Sequence, residues 1–260
     1  MINIIKKSFL LQLKQSLSRA TFRFVLVLQP IFNCLLLYFI LRGNSPERIG
    51  EYLFINVSVM NLWSAIVFSS ASDLDREKRM GTLGSSFAAP ADFRLIYFGK
   101  VLCNTVLTIV SFIITFVFIR FVLQLPITFL SPSVSIFLVL IMIISFAVMS
   151  MALGYVFLLY RNSLSWMNFL EYPIYVLSGI ALPVSSLPMF LRPISDILPT
   201  RWIVTLLKDS FNHHYNLQQV IFNKSCLALV ILTIIFAIIL YGLNKVVDLK
   251  VMDKGNLEVY

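Results

Sequence analysis

Residues 134–159 read VSIFLVLIMIISFAVMSMALGYVFLL, 26 consecutive positions without a charged side chain. Wound as a helix rising 1.5 Å per residue, the run reaches roughly 39 Å, more than the ~30 Å hydrocarbon core of a bilayer. Water offers no comparable environment for so long an apolar run, so this stretch predicts a membrane span. Five more runs pass the same length test, at about 24–41, 52–70, 101–123, 164–182 and 226–243. The expected fold is an all-α integral membrane protein with six transmembrane helices in one domain, residues 24–260. No internal repeat is visible.

Composition agrees. Of 260 residues, 59% are apolar and 13% charged, against roughly a quarter charged in soluble domains, and the mean hydropathy is +0.89. A soluble globular enzyme, a disordered chain and a fibrous repeat are all excluded. The net charge of +9 forms no sustained stripe, so it implies no nucleic acid and reads as a topology signal. With the N-terminus cytoplasmic, 14 of the 21 Lys and Arg fall inside, in residues 1–23, 71–100 and 244–260 and at Arg161. The other seven fall outside: Arg42, Arg48, Arg120, Arg192, Arg201, Lys208 and Lys224. This two-to-one bias predicts a multi-pass protein of the plasma membrane with both ends cytoplasmic.

Residues 1–23 read as an amphipathic helix lying along the inner membrane surface, with Ile2, Ile5, Phe9, Leu13 and Leu17 at helical spacing and Lys7, Lys14 and Arg19 elsewhere. It serves as an anchor for the first span or as a contact for a partner subunit. With no small-residue cleavage site, the first span is expected to be retained. Cys34, Cys103 and Cys226 sit in or beside apolar runs without CxxC spacing and read as reduced packing residues. His213 and His214 with Asp209 lack a third ligand at helical spacing and read as a loop rather than a metal site.

Half of the ten prolines lie between 173 and 199, with Pro183, Pro188, Pro193 and Pro199 about five apart among apolar residues. Proline removes a backbone donor, and broken backbone at membrane depth needs protein or water to satisfy it. Short re-entrant or interfacial helical pieces are therefore expected after the fifth span, capping the outer end of a cavity.

The most polar inside segment is residues 73–83, DLDREKRMGTL, followed by GSSFAAPADFR to position 94. Its acids precede its apolar part, as in a short helix with carboxylates near its N-terminus, and Pro90 with Asp92 reads as the start of the next helix. On pattern alone the segment is a solvated loop or a docking surface. With its Asp75-Arg76-Glu77-Lys78-Arg79 cluster, Gly81-Thr82-Leu83, Pro90 and Gly99-Lys100, it resembles the signature of type-2 ABC transporter permeases. A second stretch, with Ser178-Gly179, Pro183, Leu187-Pro188, Pro193 and Leu198-Pro199, is similar to that family's pattern after the fifth span.

The resemblance covers essentially the whole chain. It implies that Asp75 to Arg79 with Gly81, Thr82 and Leu83 form the coupling segment docking on a separate ABC ATPase subunit. One six-helix chain offers little room for an enclosed conduit, so a second permease chain, identical or paralogous, is expected, with an outer gate at Gly179, Pro183, Pro188, Pro193 and Pro199. Gly84 stands where the family usually carries an acid. The chain has no G-x-x-x-x-G-K-[ST] loop, so it is expected to hold no cofactor, with ATP and magnesium bound by the ATPase.

Within the membrane, Glu171 stands about seven residues into the fifth span, followed by Tyr172, Pro173 and Tyr175. A carboxylate there faces protein or a wet cavity. It is satisfied by Tyr, Ser or Asn for assembly, lines a path, or relays protons. Asn56, Ser58, Asn61 and Ser64 of the second span, Asn33 of the first, and Thr105, Thr108, Ser111 and Thr115 of the third read as interhelical hydrogen bonding or cavity lining. Candidate path residues are Asn56, Asn61, Glu171, Tyr175 and Ser178. The expected function is the permease subunit of an ATP-driven exporter of a small amphiphile, drug or antimicrobial peptide. The alternatives are a non-transporting immunity or scaffold protein and a proton-coupled secondary transporter. No constellation for a membrane enzyme is present.

Overall fold

The computed structural model describes residues 1–41, 46–64, 69–127, 131–158, 163–213 and 215–254. Arg42, Arg161 and His214 lie outside them. Among the described residues every regular element is helical. The chain opens with α1 (Ile2–Ser18) and α2 (Ala20–Leu41), followed by α3 (Pro46–Leu62), α4 (Ser69–Arg79) and α5 (Thr82–Ala88). Next come α6 (Phe93–Val117), widened into a π turn over Phe118–Val122, then α7 (Pro132–Leu158) and α8 (Ser163–Leu177). The remainder comprises α9 (Arg192–Asp196), α10 (Pro199–His213), α11 (Leu217–Ile221) and α12 (Lys224–Lys254).

Among the described residues four helices are long and apolar enough to cross a membrane: α2, α6 with its wide turn, α7, and α12 over Lys224–Val247. In the expected second and fifth spans the described helices are α3, with 17 residues, and α8, with 15; residues 65–68 of the second lie outside the described residues. The end of α8 has a local cause. The expected run to 182 stops at Leu177 because Gly179 turns left-handed at φ 76°, and the amides of Ile180 and Ala181 fold back onto the Tyr175 carbonyl at 3.3 Å. Glycine closes helices this way because it lacks a Cβ. Apolar composition alone does not reveal that break.

Other boundaries move for equally local reasons. The lead expected over 1–23 divides at Arg19, whose extended backbone (φ −84°, ψ 122°) ends α1 and lets α2 start anew. Asp92, not Pro90, opens α6: its carboxylate accepts from the Arg94 amide at 2.9 Å, and Pro90 lies before the cap. The prolines after α8 mark starts. Pro183 precedes a single 3-10 turn (Val184–Ser186), Pro193 sits in the first turn of α9, and Pro199 is the first residue of α10. A missing N–H costs nothing in a first helical turn.

The core gathers around aromatic side chains of α6 and α7, with Trp63 just past α3. The Trp63 and Phe146 rings meet edge-on, as do those of Tyr97 and Tyr155. α12 packs along α7, where the Ser145 and Thr233 hydroxyls hydrogen-bond at 2.8 Å. Outside this core, Phe32, Phe39, Ile113, Ile136, Ile144, Ile231 and Ile238 are exposed. So much apolar surface on four long helices is what a bilayer covers. Cys34, Cys103 and Cys226 are buried free thiols.

Candidate functional site

The chain puts chemistry at two ends of the bundle. One end carries α5; α2 leaves it beside Arg19 and, at 22 residues, delivers Leu41 roughly 33 Å away at the far end.

At the α5 end, α1 lies against α6. Gly99 makes this possible, since a Cβ there would stand 2.8 Å from the Ile5 carbonyl oxygen and 2.9 Å from the Ser8 Cβ. The face that α1 buries is Ser8, Gln12 and Ser16, a polar stripe at spacing four. Of the expected apolar face, Ile2 and Leu17 are exposed, and Ile5, Phe9 and Leu13 are half-buried. The polar stripe turns inward because it meets partners there. Gln12 Nε2 lies within donating reach of Asp73 Oδ2, of Ser16 Oγ at 3.0 Å and of Asn104 Oδ1 at 3.2 Å. Arg19 Nη1 donates to Asp73 Oδ1 at 2.6 Å, and Asn104 Nδ2 approaches Asp73 Oδ2 at 3.5 Å. Asp73 is only 3% exposed, so one carboxylate ties α1, α4 and α6 together.

Two further acids of α4 pair in turn. Glu77 accepts from Lys100 on α6, both largely buried, and Asp75 pairs with Arg79 one helical turn on. The expectation of acids at the start of a short helix over 73–83 is corrected here. α4 begins at Ser69, so the acids occupy its middle and reach sideways, while Arg76, Lys78 and Arg79 fill its last turn, where cations suit the helix dipole. Lys78 Nζ also donates to the Leu158 carbonyl at the end of α7, at 3.5 Å.

A turn at Met80 and Gly81 then leads into α5. Leu83 is fully buried in the main core, and Phe87 stacks on Phe93 with centroids 4.0 Å apart. The outward side presents Met80, Thr82, Gly84 and Ser85. Of the proposed coupling residues, Arg79, Gly81 and Thr82 are exposed, Arg76, Glu77 and Lys78 half-buried, and Asp75 and Leu83 buried.

Between the two ends, Glu171 is held by neighbours. Its Oε1 accepts from Ser64 Oγ at 2.7 Å and from the Tyr175 hydroxyl at 2.6 Å, and Gln29 Nε2 donates to Ser64 at 3.1 Å. Asn61 belongs to a separate chain of bonds, accepting from Asn33 at 3.1 Å and donating to Thr115 at 3.3 Å. Ser178 is buried and hydrogen-bonded to Thr200 of α10. The five candidate path residues therefore divide among separate settings, of which only Glu171 and Tyr175 share one.

Asn56 stands apart from those networks. It is 4% exposed, its Oδ1 has no hydrogen-bond partner, and it lines a cavity of about 540 Å³ at the far end. Gly179 and Pro183 of the expected gate line the same cavity; Pro188, Pro193 and Pro199 do not. So does Lys208, which sequence reading counted only as an outside charge. Its Nζ donates to the Gly179 carbonyl at 2.8 Å and sits 5.6 Å from the centre of the Tyr52 ring. Burial lowers its pKa from 10.5 to about 8, since removal from water disfavours the ammonium form.

A bundle of long apolar helices that roots a short polar-faced helix in buried ion pairs at one end, and encloses a cavity at the other, is the build of a membrane permease. The chain belongs to the ABC-2 type transporter family, whose sequence profile matches residues 3–212, from α1 almost to the end of α10. It is therefore a permease component of an ABC transporter, and membership implies an ATPase partner. No curated protein matches it.

Proposed function

We propose that the chain is the membrane subunit of an ATP-driven exporter, in which two permease chains, identical or paralogous, face one another across a central path. In this reading α3 and α8 complete six crossings, both termini are cytoplasmic, and the short pieces after α8 re-enter the outer leaflet as a gate. Each chain carries one ATPase at its α5 end, and that ATPase binds ATP and magnesium. The path runs from the level of Glu171 and Tyr175 to the cavity beside Asn56, with Asn61 bracing it and Ser178 holding the gate to α10. The cargo is a small amphiphile, drug or antimicrobial peptide.

The observation that supports this best is the way α5 is rooted. A helix that passes a push from one subunit to another needs stiff attachment, and α4 supplies it through Asp73 to Gln12 of α1, Arg19 between α1 and α2 and Asn104 of α6, and through Glu77 to Lys100. Leu83 serves as the root, while Met80, Thr82, Gly84 and Ser85 make the contact. Hydrolysis can drive transport only if the two conformations of the permease differ in their contacts with both ATPase and cargo.

Purification of the full-length chain from its native membrane tests this. A stoichiometric ATPase should accompany it, and the double change Met80→Glu and Ser85→Arg should lower ATPase retention at least tenfold while membrane insertion stays normal. Undiminished retention in the double variant overturns the docking assignment.

A further inference from the structure

The far-end cavity has features that a packed gate does not need. Lys208 is half-buried, and among the described residues its contacts are one carbonyl and one aromatic face. No carboxylate lines the cavity among those residues, and Glu51 and Asp209, the acids nearest in sequence, are not part of its wall. Buried cations are ordinarily paired. On the same wall the Asn56 amide oxygen, an acceptor, lacks a donor. A buried polar atom without a partner costs stability, so the wall presents a cation lacking an anion and an acceptor lacking a donor.

The remaining wall is apolar: Leu41, Ile49, Ile180, Ala181 and Leu182. Leu182 is exposed, so an apolar tail leaving the cavity meets an apolar rim. The volume falls in the range of small-molecule sites, roughly 300–1,000 Å³.

We infer that this cavity binds the head of an amphiphile that carries one negative charge next to an N–H or O–H donor, the anion on Lys208, the donor on the Asn56 oxygen, and the tail along Leu41, Ile180 and Leu182. This names the chemistry of the cargo and rests on reading the far end as the outer part of the export path. An N-acylated amino acid has this pattern, and so does a phosphoglycerol lipid with free hydroxyls. The lowered pKa of Lys208 fits, because an arriving anion restores the charged form that burial disfavours.

The test uses the full-length chain in phosphatidylcholine nanodiscs, with binding of N-dodecanoylglycine read by native mass spectrometry. Lys208→Met should weaken binding at least tenfold, and Lys208→Arg should recover most of it. Dodecyl maltoside, which has a similar tail and no charge, should bind wild type and Lys208→Met alike. N-dodecanoylsarcosine lacks the N–H; wild type should prefer the glycine compound over it, and Asn56→Leu should erase the preference. Circular dichroism confirms that each variant is folded. Equal binding of N-dodecanoylglycine to wild type and folded Lys208→Met overturns the proposal, as does wild-type binding that ignores charge. Displacement of the probe by phosphatidylglycerol identifies a bilayer lipid as the occupant; resistance to displacement identifies a solute amphiphile. Because the assay needs no ATPase, a chain that binds the probe through Lys208 but purifies without an ATPase keeps the site and loses the exporter reading.

Discussion

At the α5 end, Asp73, Asp75 and Glu77 each face a basic partner, Arg19, Arg79 and Lys100; at the far end, Lys208 faces a carbonyl and a ring. Both ends take charge out of water, and they do so to different ends. Each acid of the first set has its counter-charge within the chain, although Glu77 Oε2 and Arg19 Nη2 are buried without a hydrogen-bond partner. At the second, the described residues set no carboxylate in the cavity wall beside Lys208. In the proposed function the first end is the grip where force enters and the second the surface that meets cargo.

Four measurements would break or sharpen this contrast, and the largest effect is expected at Asp73. Asp73→Asn leaves Arg19 partly buried without its counter-charge, which should cost about 3–5 kcal/mol and appear as a large fall in thermal unfolding temperature of the detergent-solubilised protein. Replacing Arg19 and Asp73 together with methionine should cost less than either single change, because no orphan charge remains. Next is Gly99→Ala, which forces α1 away from α6 at a cost of about 1–3 kcal/mol for an overpacked contact. Hydrogen exchange should then speed up in α1 and leave α7 unchanged. Between the two ends, Glu171→Leu strips the Tyr175 and Ser64 hydroxyls of their shared acceptor at about 1–2 kcal/mol. Glu171→Gln keeps an acceptor and should lose less in the same unfolding assay.

The smallest effect belongs to Lys208 and shows as a slope. Its folded pKa of about 8 lies below the ordinary 10.5, so between those values the unfolded chain binds more protons. Stability from this group therefore rises as pH climbs from 8 to 10.5. Tyr52 is the titratable ring set against Lys208, and Tyr52→Phe removes its titration from the comparison. In that background the unfolding temperature should climb through this window relative to Lys208→Met, and parallel curves would show that Lys208 is not desolvated.

Much of this was legible in the chain. Residue 134–159 apolarity, the proline cluster and the 73–83 segment all mark elements that exist, because length in lipid, proline starts and charge clusters act locally. The places of Asp73, Gln12, Ser16 and Asn104 were not legible as one site. Apart from Gln12 with Ser16, their pairs lie 31 to 92 positions apart, and Ser8, Gln12 and Ser16 look like an ordinary solvated face beside the more conspicuous Ile2 to Leu17 stripe. The spacing of four was the available signal. Glu171 stood out for the right reason, since an acid in an apolar run needs a partner, but which of Tyr, Ser or Asn supplied it depended on Met60 and Ser64 coming beside Tyr175 of α8. Lys208 gave no signal beyond its charge, because its burial depends on the turn at Gly179 that ends α8.

The outermost helix carries one more consequence. The apolar part of α12, Lys224–Val247, is 24 residues, with 11% of its most apolar window buried in the protein. At 1.5 Å per residue it measures about 36 Å, several ångströms more than a ~30 Å hydrocarbon layer. A rod longer than the slab it crosses can lean; it packs on α7, with Ser145 and Thr233 at the seam, and on α10. Lipids with longer acyl chains would let α12 stand more upright and shorter ones would tip it further.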